Sequence, residues 1–288
     1  MIKLLYDNIS GNTGDLAIGL SLKQMFGKYE DFKSYSPDDT VIIGGGLLLR
    51  KQPSVFFDKF RLKGNHILNC MGVYGTPTDL HYLNDYKYLS VRSTGDKAKL
   101  SYLTKEVKVV PCTTMLLKDE HDFQVKENAI GIHLLPNMLD EEKLCNWANK
   151  ISKDGFNIYF IKITNHVLEY LGLLNLSKKI NNSVVINLIN PLEIFSFIGK
   201  MKFMISCSLH GGIFAYTHNV PFILYDKTPY NGDDKMKWFM TDRNLQDNLF
   251  YSANDIINKF NFNKDYTNLL IEDKKVLDEH LYTIKCLI

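Results

Sequence analysis

The chain lacks the marks of several large classes of protein. Its five cysteines, Cys70, Cys112, Cys145, Cys207 and Cys286, are odd in number and include no C-x-x-C pair. That pattern suggests neither a zinc ribbon nor a disulfide framework, and it fits a reducing compartment. No run of about 18 apolar residues occurs, so no spanning helix is expected. The opening MIKLLYDNISGN holds too short an apolar stretch for a secretory signal. Basic residues have no excess: 34 Lys and Arg stand against 32 Asp and Glu, a net charge of +2. A dedicated nucleic-acid binder needs a stronger basic field, so no nucleic-acid partner is expected. Histidines and carboxylates do not cluster at ligand spacing, so no metal is expected. Internal repeats and low-complexity tracts are missing too. These absences together predict a soluble cytoplasmic protein. It could still rest on the inner membrane face where lipid-linked sugars are made.

What is there is a core-forming chain. With 45% hydrophobic residues in 288, it can bury a core and is long enough for two domains of ordinary size. Short apolar runs predict strands over 2–6, 40–43, 66–70, 87–92, 107–111, 129–135, 156–163, 184–188, 203–205 and 222–225. Helical patterns over 16–26, 78–86, 140–151, 166–174, 191–200, 213–217, 253–260 and 273–284 lie between or after them. Strands alternating with helices signal parallel sheets covered on both faces. The charged stretch 118–128 reads as a linker. The expected organisation is a Rossmann-like half over 1–125, a second over 126–250, and C-terminal helices over 251–288 that pack back toward the first.

The chemistry is expected where strands run into glycine-bearing loops. Ligands of open α/β sheets bind at the carboxyl ends of strands, beside helix N-termini. The first such loop is Asp7 to Asp15, with Asp15 placed as the cap of the helix over 16–26. The second is Gly44-Gly45-Gly46 after the strand over 40–43, where missing side chains allow close approach. These glycines do not fit G-x-G-x-x-G, so a nicotinamide site is weakly supported. Arg92 ends the strand over 87–92. It suits two parallel hydrogen bonds to a carboxylate or phosphate, although an exposed Arg is usually a surface ion-pair partner. The stretch around Ser206-Cys207-Ser208-Leu209-His210-Gly211-Gly212, followed by Phe222 to Lys227, is the strongest candidate. His210 and Lys227 fall at strand ends there and would make an anion site. His133, inside an apolar alternation, reads as a core histidine, and Cys112 as a packed small side chain.

The pattern S-x-S-L-H-G-x-I-F-A…N-V-P-F-I-x-Y-D-K over 206–227 resembles the signature of the polysaccharide pyruvyl transferase family. So do G-N-T-G-D-x-A-I over 11–18, I-G-G-G-L-L over 43–48 and S-V-R over 90–92. These elements cover most of the chain in order. The chain departs from the family pattern at Ser208, where Arg is common, and at Ser93 and Cys112, where Asp is common. The resemblance implies two Rossmann-like lobes in a GT-B-like arrangement, with the site in the inter-domain cleft. It implies transfer of an enolpyruvyl group from phosphoenolpyruvate, a co-substrate rather than a cofactor, onto hydroxyls of a sugar or lipid-linked glycan, closing a pyruvate ketal. It makes His210 and Asp15 the expected catalytic residues. Arg92, Lys227, Asn12, Gly45, Gly46, Ser208 and Gly211 become the expected substrate-binding residues. Two other readings stay open: a GT-B-like glycosyltransferase using a nucleotide sugar, and a non-catalytic carbohydrate-binding relative.

Overall fold

The structure, a computed structural model, describes residues 2–27, 29–34, 36, 39–51, 55–118, 121–134, 141–164, 167–226, 234–252 and 262–288. Lys227 and the helix expected over 253–260 lie outside the described residues.

The first half of the chain forms a six-stranded parallel sheet. Its strands are β1 (Ile2–Leu5), β2 (Glu30–Asp31), β3 (Thr40–Gly44), β4 (Ile67–Met71), β5 (Tyr88–Val91) and β6 (Val107–Val109). Their order across the sheet is β2-β1-β3-β4-β5-β6. The second half repeats the plan with β7 (Ala129–His133), β8 (Asn157–Ile161), β9 (Ser183–Ile186), β10 (Phe203–Ser206), β11 (Phe222–Tyr225) and β12 (Leu249–Phe250). The order there is β12-β11-β10-β7-β8-β9. Central strands such as β4, β7 and β10 are buried at every residue, as parallel sheets covered on both faces require.

In each sheet the chain leaves one strand in both directions. The first sheet reverses between β1 and β3, the second between β7 and β10. The loops beyond such a pair diverge to opposite faces and leave a crevice at the strand ends. The Asp7–Asp15 loop and the three glycines border the first crevice. His133 and residues 207–210 border the second.

Among the described residues the helices are α1 (Thr13–Phe26), α2 (Val55–Asp58), α3 (Thr94–Lys99), α4 (Glu141–Lys153), α5 (Val167–Ser177), α6 (Pro191–Ile198), α7 (Leu209–Thr217), α8 (Lys235–Thr241) and α9 (Thr267–Leu287). Two starts differ from expectation. Asn12, not Asp15, is the N-cap of α1, its Oδ1 accepting from Gly14 N at 2.9 Å. A short amide side chain one turn earlier reaches the free N–H, which moves Asp15 into the helix's first turn. Asn12→Ala would cost about 1 kcal/mol through this cap. Helix α7 begins at Leu209 rather than near 213, so His210, Gly211 and Gly212 are helical. The glycines are there for packing. A Cβ on Gly211 would collide with Ser206, and one on Gly212 would lie 2.5 Å from Leu224.

The two halves are fused. One apolar cluster contains Leu4, Ile18, Leu22 and Ile42 of the first together with Ile194, Phe195, Ile213 and Phe214 of the second. Thr13 N donates to Ile163 O at 3.2 Å, and Asn12 bridges Thr164. Helix α9 straps both sheets: His280 meets Asn69 Oδ1 at 2.7 Å and Tyr88 Oη at 3.0 Å, while Asp273 accepts from Arg243 Nε at 2.8 Å.

Candidate functional site

The two crevices open toward each other, and α1 and α7 meet between them. Gly14, in the first turn of α1, lies flat on the imidazole of His210, where any Cβ would overlap the ring. His210 is 5% exposed. Burial, with the positive charge of Arg92 and Lys235 added, lowers its pKa to about 3. The free site therefore holds a neutral imidazole. Its Nε2 lies 3.8 Å from Cys112 Sγ.

Asp15 sits against Gly46, where a Cβ would come within 2.6 Å of its Oδ1. With φ of 45°, Gly46 occupies backbone space that favours glycine and leaves room for the carboxylate. Burial and the nearby Asp7 carboxylate raise the Asp15 pKa to about 6, against the pull of Arg92, Lys235 and Arg50.

Arg92 is only 9% exposed. Its Nε stands 3.7 Å from Asp96 Oδ2, and neither Nε nor Nη2 has a hydrogen-bond partner among the described residues. Asp96 is already engaged by Ser93 Oγ at 2.6 Å and Val73 N at 2.8 Å. Ser93 thus works as the cap of α3, accepting from Asp96 N. A buried guanidinium with idle donors costs free energy unless an anion arrives.

A cavity lies beside Arg92. Arg92, Cys112, Leu209, Lys235, Phe239 and Arg243 line it. Arg243 is held by Asp273 and stacks on Phe239, its Cζ 4.3 Å from the ring centroid. Helix α8, which carries Lys235, is docked across the lobes onto α3. Asp242 accepts from Thr94 N at 3.0 Å and from the Thr94 hydroxyl, and Trp238 fills the space over Gly95. Three cations from both halves thus border one small cavity.

Of the residues expected from the sequence, Asp15, Gly46, Arg92 and His210 come together. The others are placed differently. The Asn12 side chain is spent on the α1 cap. Gly45 has only Ile18 near it, and Gly211 faces Ser206 and Ile163. Ser208 is the N-cap residue of α7, yet its side chain makes no capping bond. Lys227 lies outside the described residues. Sequence reasoning missed Cys112, Lys235 and Arg243. In the sequence Lys235 ends a turn-rich stretch over 228–235, and the signal for the helix that follows is Met236, Phe239 and Met240, buried and at helical spacing. Cys112 has no histidine near it in the sequence, because its partner His210 is 98 residues away. His133 is buried as expected, with Nδ1 3.1 Å from Ile161 O and 3.2 Å from Glu169 Oε1.

No helix among the described residues is long and apolar enough to cross a membrane, and none of their His, Cys, Asp and Glu residues form a metal-holding group. No curated protein is significantly similar to the chain. Three of the solved structures that share its fold, all at low identity, illustrate the likeness. S. aureus MnaA, in a co-structure with UDP, is 9% identical over 98% of this chain and 89% of that one, with a TM-score of 0.54. The UDP-GlcNAc 2-epimerase from Methanocaldococcus jannaschii is 10% identical over 96% and 91%, with a TM-score of 0.52. A functionally uncharacterized protein, KP1_0663, from Klebsiella pneumoniae is 12% identical over 86% and 92%, with a TM-score of 0.51. The fold is thus the two-lobed arrangement of GT-B glycosyltransferases and epimerases. The family model for polysaccharide pyruvyl transferase matches residues 12–226, from the cap of α1 through the end of β11, and the chain belongs to that family.

Proposed function

We propose that the protein transfers an enolpyruvyl group from phosphoenolpyruvate to a sugar or lipid-linked glycan and closes it into a pyruvate ketal. One observation carries the reading: the buried Arg92 guanidinium, with two idle donors, lines the same inter-lobe cavity as Lys235 and Arg243. Phosphoenolpyruvate carries a carboxylate and a phosphate, and three cations offset that charge. A planar guanidinium can grip either group with two parallel bonds.

The chemistry needs a proton at C3 of the donor, which leaves an oxocarbenium-like centre at C2. An acceptor hydroxyl oxygen bonds to C2 and gives up its proton. A second hydroxyl of the acceptor then bonds to C2 and passes its proton to the Asp15 carboxylate, and phosphate leaves with the electron pair of its C–O bond. Arg92, Lys235 and Arg243 stabilise the departing phosphate. Asp15, ionised above about pH 6, serves as the base for the second hydroxyl. His210 is neutral and can take up a proton.

The rival donor is a nucleotide sugar, favoured by the likeness of the fold to an epimerase of UDP-GlcNAc and to a protein seen with UDP. Thermal shift with phosphoenolpyruvate against UDP-sugars separates the two, because a ligand stabilises in proportion to its occupancy. Phosphate release from phosphoenolpyruvate over a panel of sugar acceptors is the functional test. A shift with UDP-sugars alone, and no phosphate release, would overturn the proposal. The protein is expected to work in the cytoplasm, at the inner membrane face where lipid-linked acceptors are made.

A further inference from the structure

His210 is the residue the family resemblance singles out, yet it stands behind the cavity. Its Nδ1 edge is covered by Gly14, and among the described residues that line the cavity it has no place. Cys112 does line the cavity, and its Sγ lies 3.8 Å from His210 Nε2. The thiol therefore stands between the imidazole and whatever occupies the cavity. The Thr114 hydroxyl donates to the same sulfur at 3.2 Å, fixing it in place. Thr113–Leu116 forms a 3-10 turn packed on α1 and α7, so the cysteine is held at the meeting point of the lobes.

The other cavity walls are poor proton donors. A guanidinium does not give up its proton, which disposes of Arg92 and Arg243. Loss of a proton from Lys235 would remove one of the charges that offset the anion. The Ser93 hydroxyl is committed to Asp96. Leu209, Ile213 and Phe239 have nothing to give. That leaves one neutral, protonated group.

Resting on the phosphoenolpyruvate reading, we propose that the Cys112 thiol delivers the proton to C3 of the donor and that His210 reloads it. In the step, the C2=C3 electron pair takes the S–H proton and C3 becomes a methyl group. The acceptor hydroxyl oxygen bonds to C2. Its proton passes to the thiolate–imidazole pair, so the thiol is restored. One proton is given and one returned, and nothing is oxidised or reduced. Burial pushes the Cys112 thiol up, which keeps it loaded at neutral pH.

The test compares wild type with Cys112→Ser, Cys112→Ala and Cys112→Asp. Phosphoenolpyruvate binding is read by thermal shift, and phosphate release with acceptor is read from pH 5 to 9. The expected result is donor binding within about threefold of wild type in Cys112→Ser and Cys112→Ala, and weaker binding in Cys112→Asp, whose carboxylate opposes the anionic donor. Phosphate release should fall about 100-fold or more in Cys112→Ala, the usual loss when a positioned acid is removed. Cys112→Asp should regain part of the rate with its optimum displaced to lower pH, which a merely structural cysteine would not produce. Turnover in Cys112→Ala within threefold of wild type overturns the role of the thiol and leaves the donor reading standing. A wild type that neither binds the donor nor releases phosphate overturns both. Should the variants fail to fold, iodoacetamide labelling of wild type decides, read peptide by peptide. Labelling at Cys112 that phosphoenolpyruvate blocks and that stops phosphate release supports the proposal. Labelling at Cys112 with turnover intact overturns it.

Discussion

Gly14 and His210, one from each half of the chain, are in contact face to face, with no room for a methyl group between them. The contact locks the imidazole against α1 and leaves its Nε2 pointing at Cys112. Gly14→Ala should push the ring aside or part the lobes. Overpacking of this kind costs about 1–3 kcal/mol. The expected outcome is a melting temperature lowered by several degrees and loss of nearly all phosphate release. A Gly14→Ala protein with wild-type melting and turnover would show that the contact is unimportant.

Arg92 poses the opposite case, a residue that burdens the free protein. Its buried Nε and Nη2 lack hydrogen-bond partners among the described residues. Leaving such groups unpaired costs about 1–3 kcal/mol. Arg92→Met keeps the length of the side chain and removes the charge. Removal of the idle donors favours the variant and loss of the Asp96 ion pair opposes it, so its melting temperature without ligand should stay within a few degrees of wild type. Phosphoenolpyruvate should no longer raise that melting temperature, and Arg92→Met that still responds to the donor contradicts an anion site at this position.

The fold was largely legible, and the reason is physical. Parallel strands buried on both faces read as unbroken apolar runs, and β3, β8 and β11 are such runs. The helix starts at the site were less legible. Asn12 and Asp15 are both good caps, and only the folded geometry decides between them. Leu209-His210-Gly211-Gly212 looks like loop, since glycine weakens a helix by about 1 kcal/mol. Tertiary packing on Ser206 and Leu224 outweighs that cost. Arg92 is marked as a site residue by the family resemblance, whereas its burial over Gly72, bare where a Cβ would meet the guanidinium, exists only in the fold. The meeting of Cys112 with His210, and of Lys235 with both lobes, exists only after the chain folds.

The titratable groups give stability a definite pH profile. Asp15 has its folded pKa raised from 3.8 to about 6, by burial first and by Asp7 second. A raised carboxyl contributes stability below its unfolded pKa and loses it as pH rises through the folded one. His133 is raised to about 10: burial opposes its charge, but Cys207 and Glu169 outweigh burial. Its contribution is complete below about 6.5 and is lost as pH climbs toward 10. His210 runs the other way, its lowered pKa costing stability as pH falls from about 6.5 toward 3. Asp15→Asn should therefore raise the melting temperature at pH 8 and leave it unchanged at pH 3.5. His133→Gln should flatten the alkaline decline between pH 8 and 10. An Asp15→Asn protein no more stable than wild type at pH 8 would mean that the carboxylate is well solvated.

Helix α8 carries both a cavity cation and a reporter. Trp238 rests on Gly95 of α3, three residues beyond Lys235 and five before Arg243. The chain has two tryptophans, and the other, Trp147, is buried in the helix α4 of the second half. An anion that draws Lys235 and Arg243 toward Arg92 must alter the seat of α8 on α3, since Asp242 and Trp238 are what hold it there. Titration with phosphoenolpyruvate should change the tryptophan emission of wild type. Trp238→Phe should abolish the change, and Trp147→Phe should keep it. Asp242→Ala, which frees one side of the clamp, should weaken the donor several-fold and enlarge the signal, because α8 then has further to move on binding. A signal that survives Trp238→Phe and vanishes with Trp147→Phe would place the response inside the second sheet, away from the cavity between the lobes.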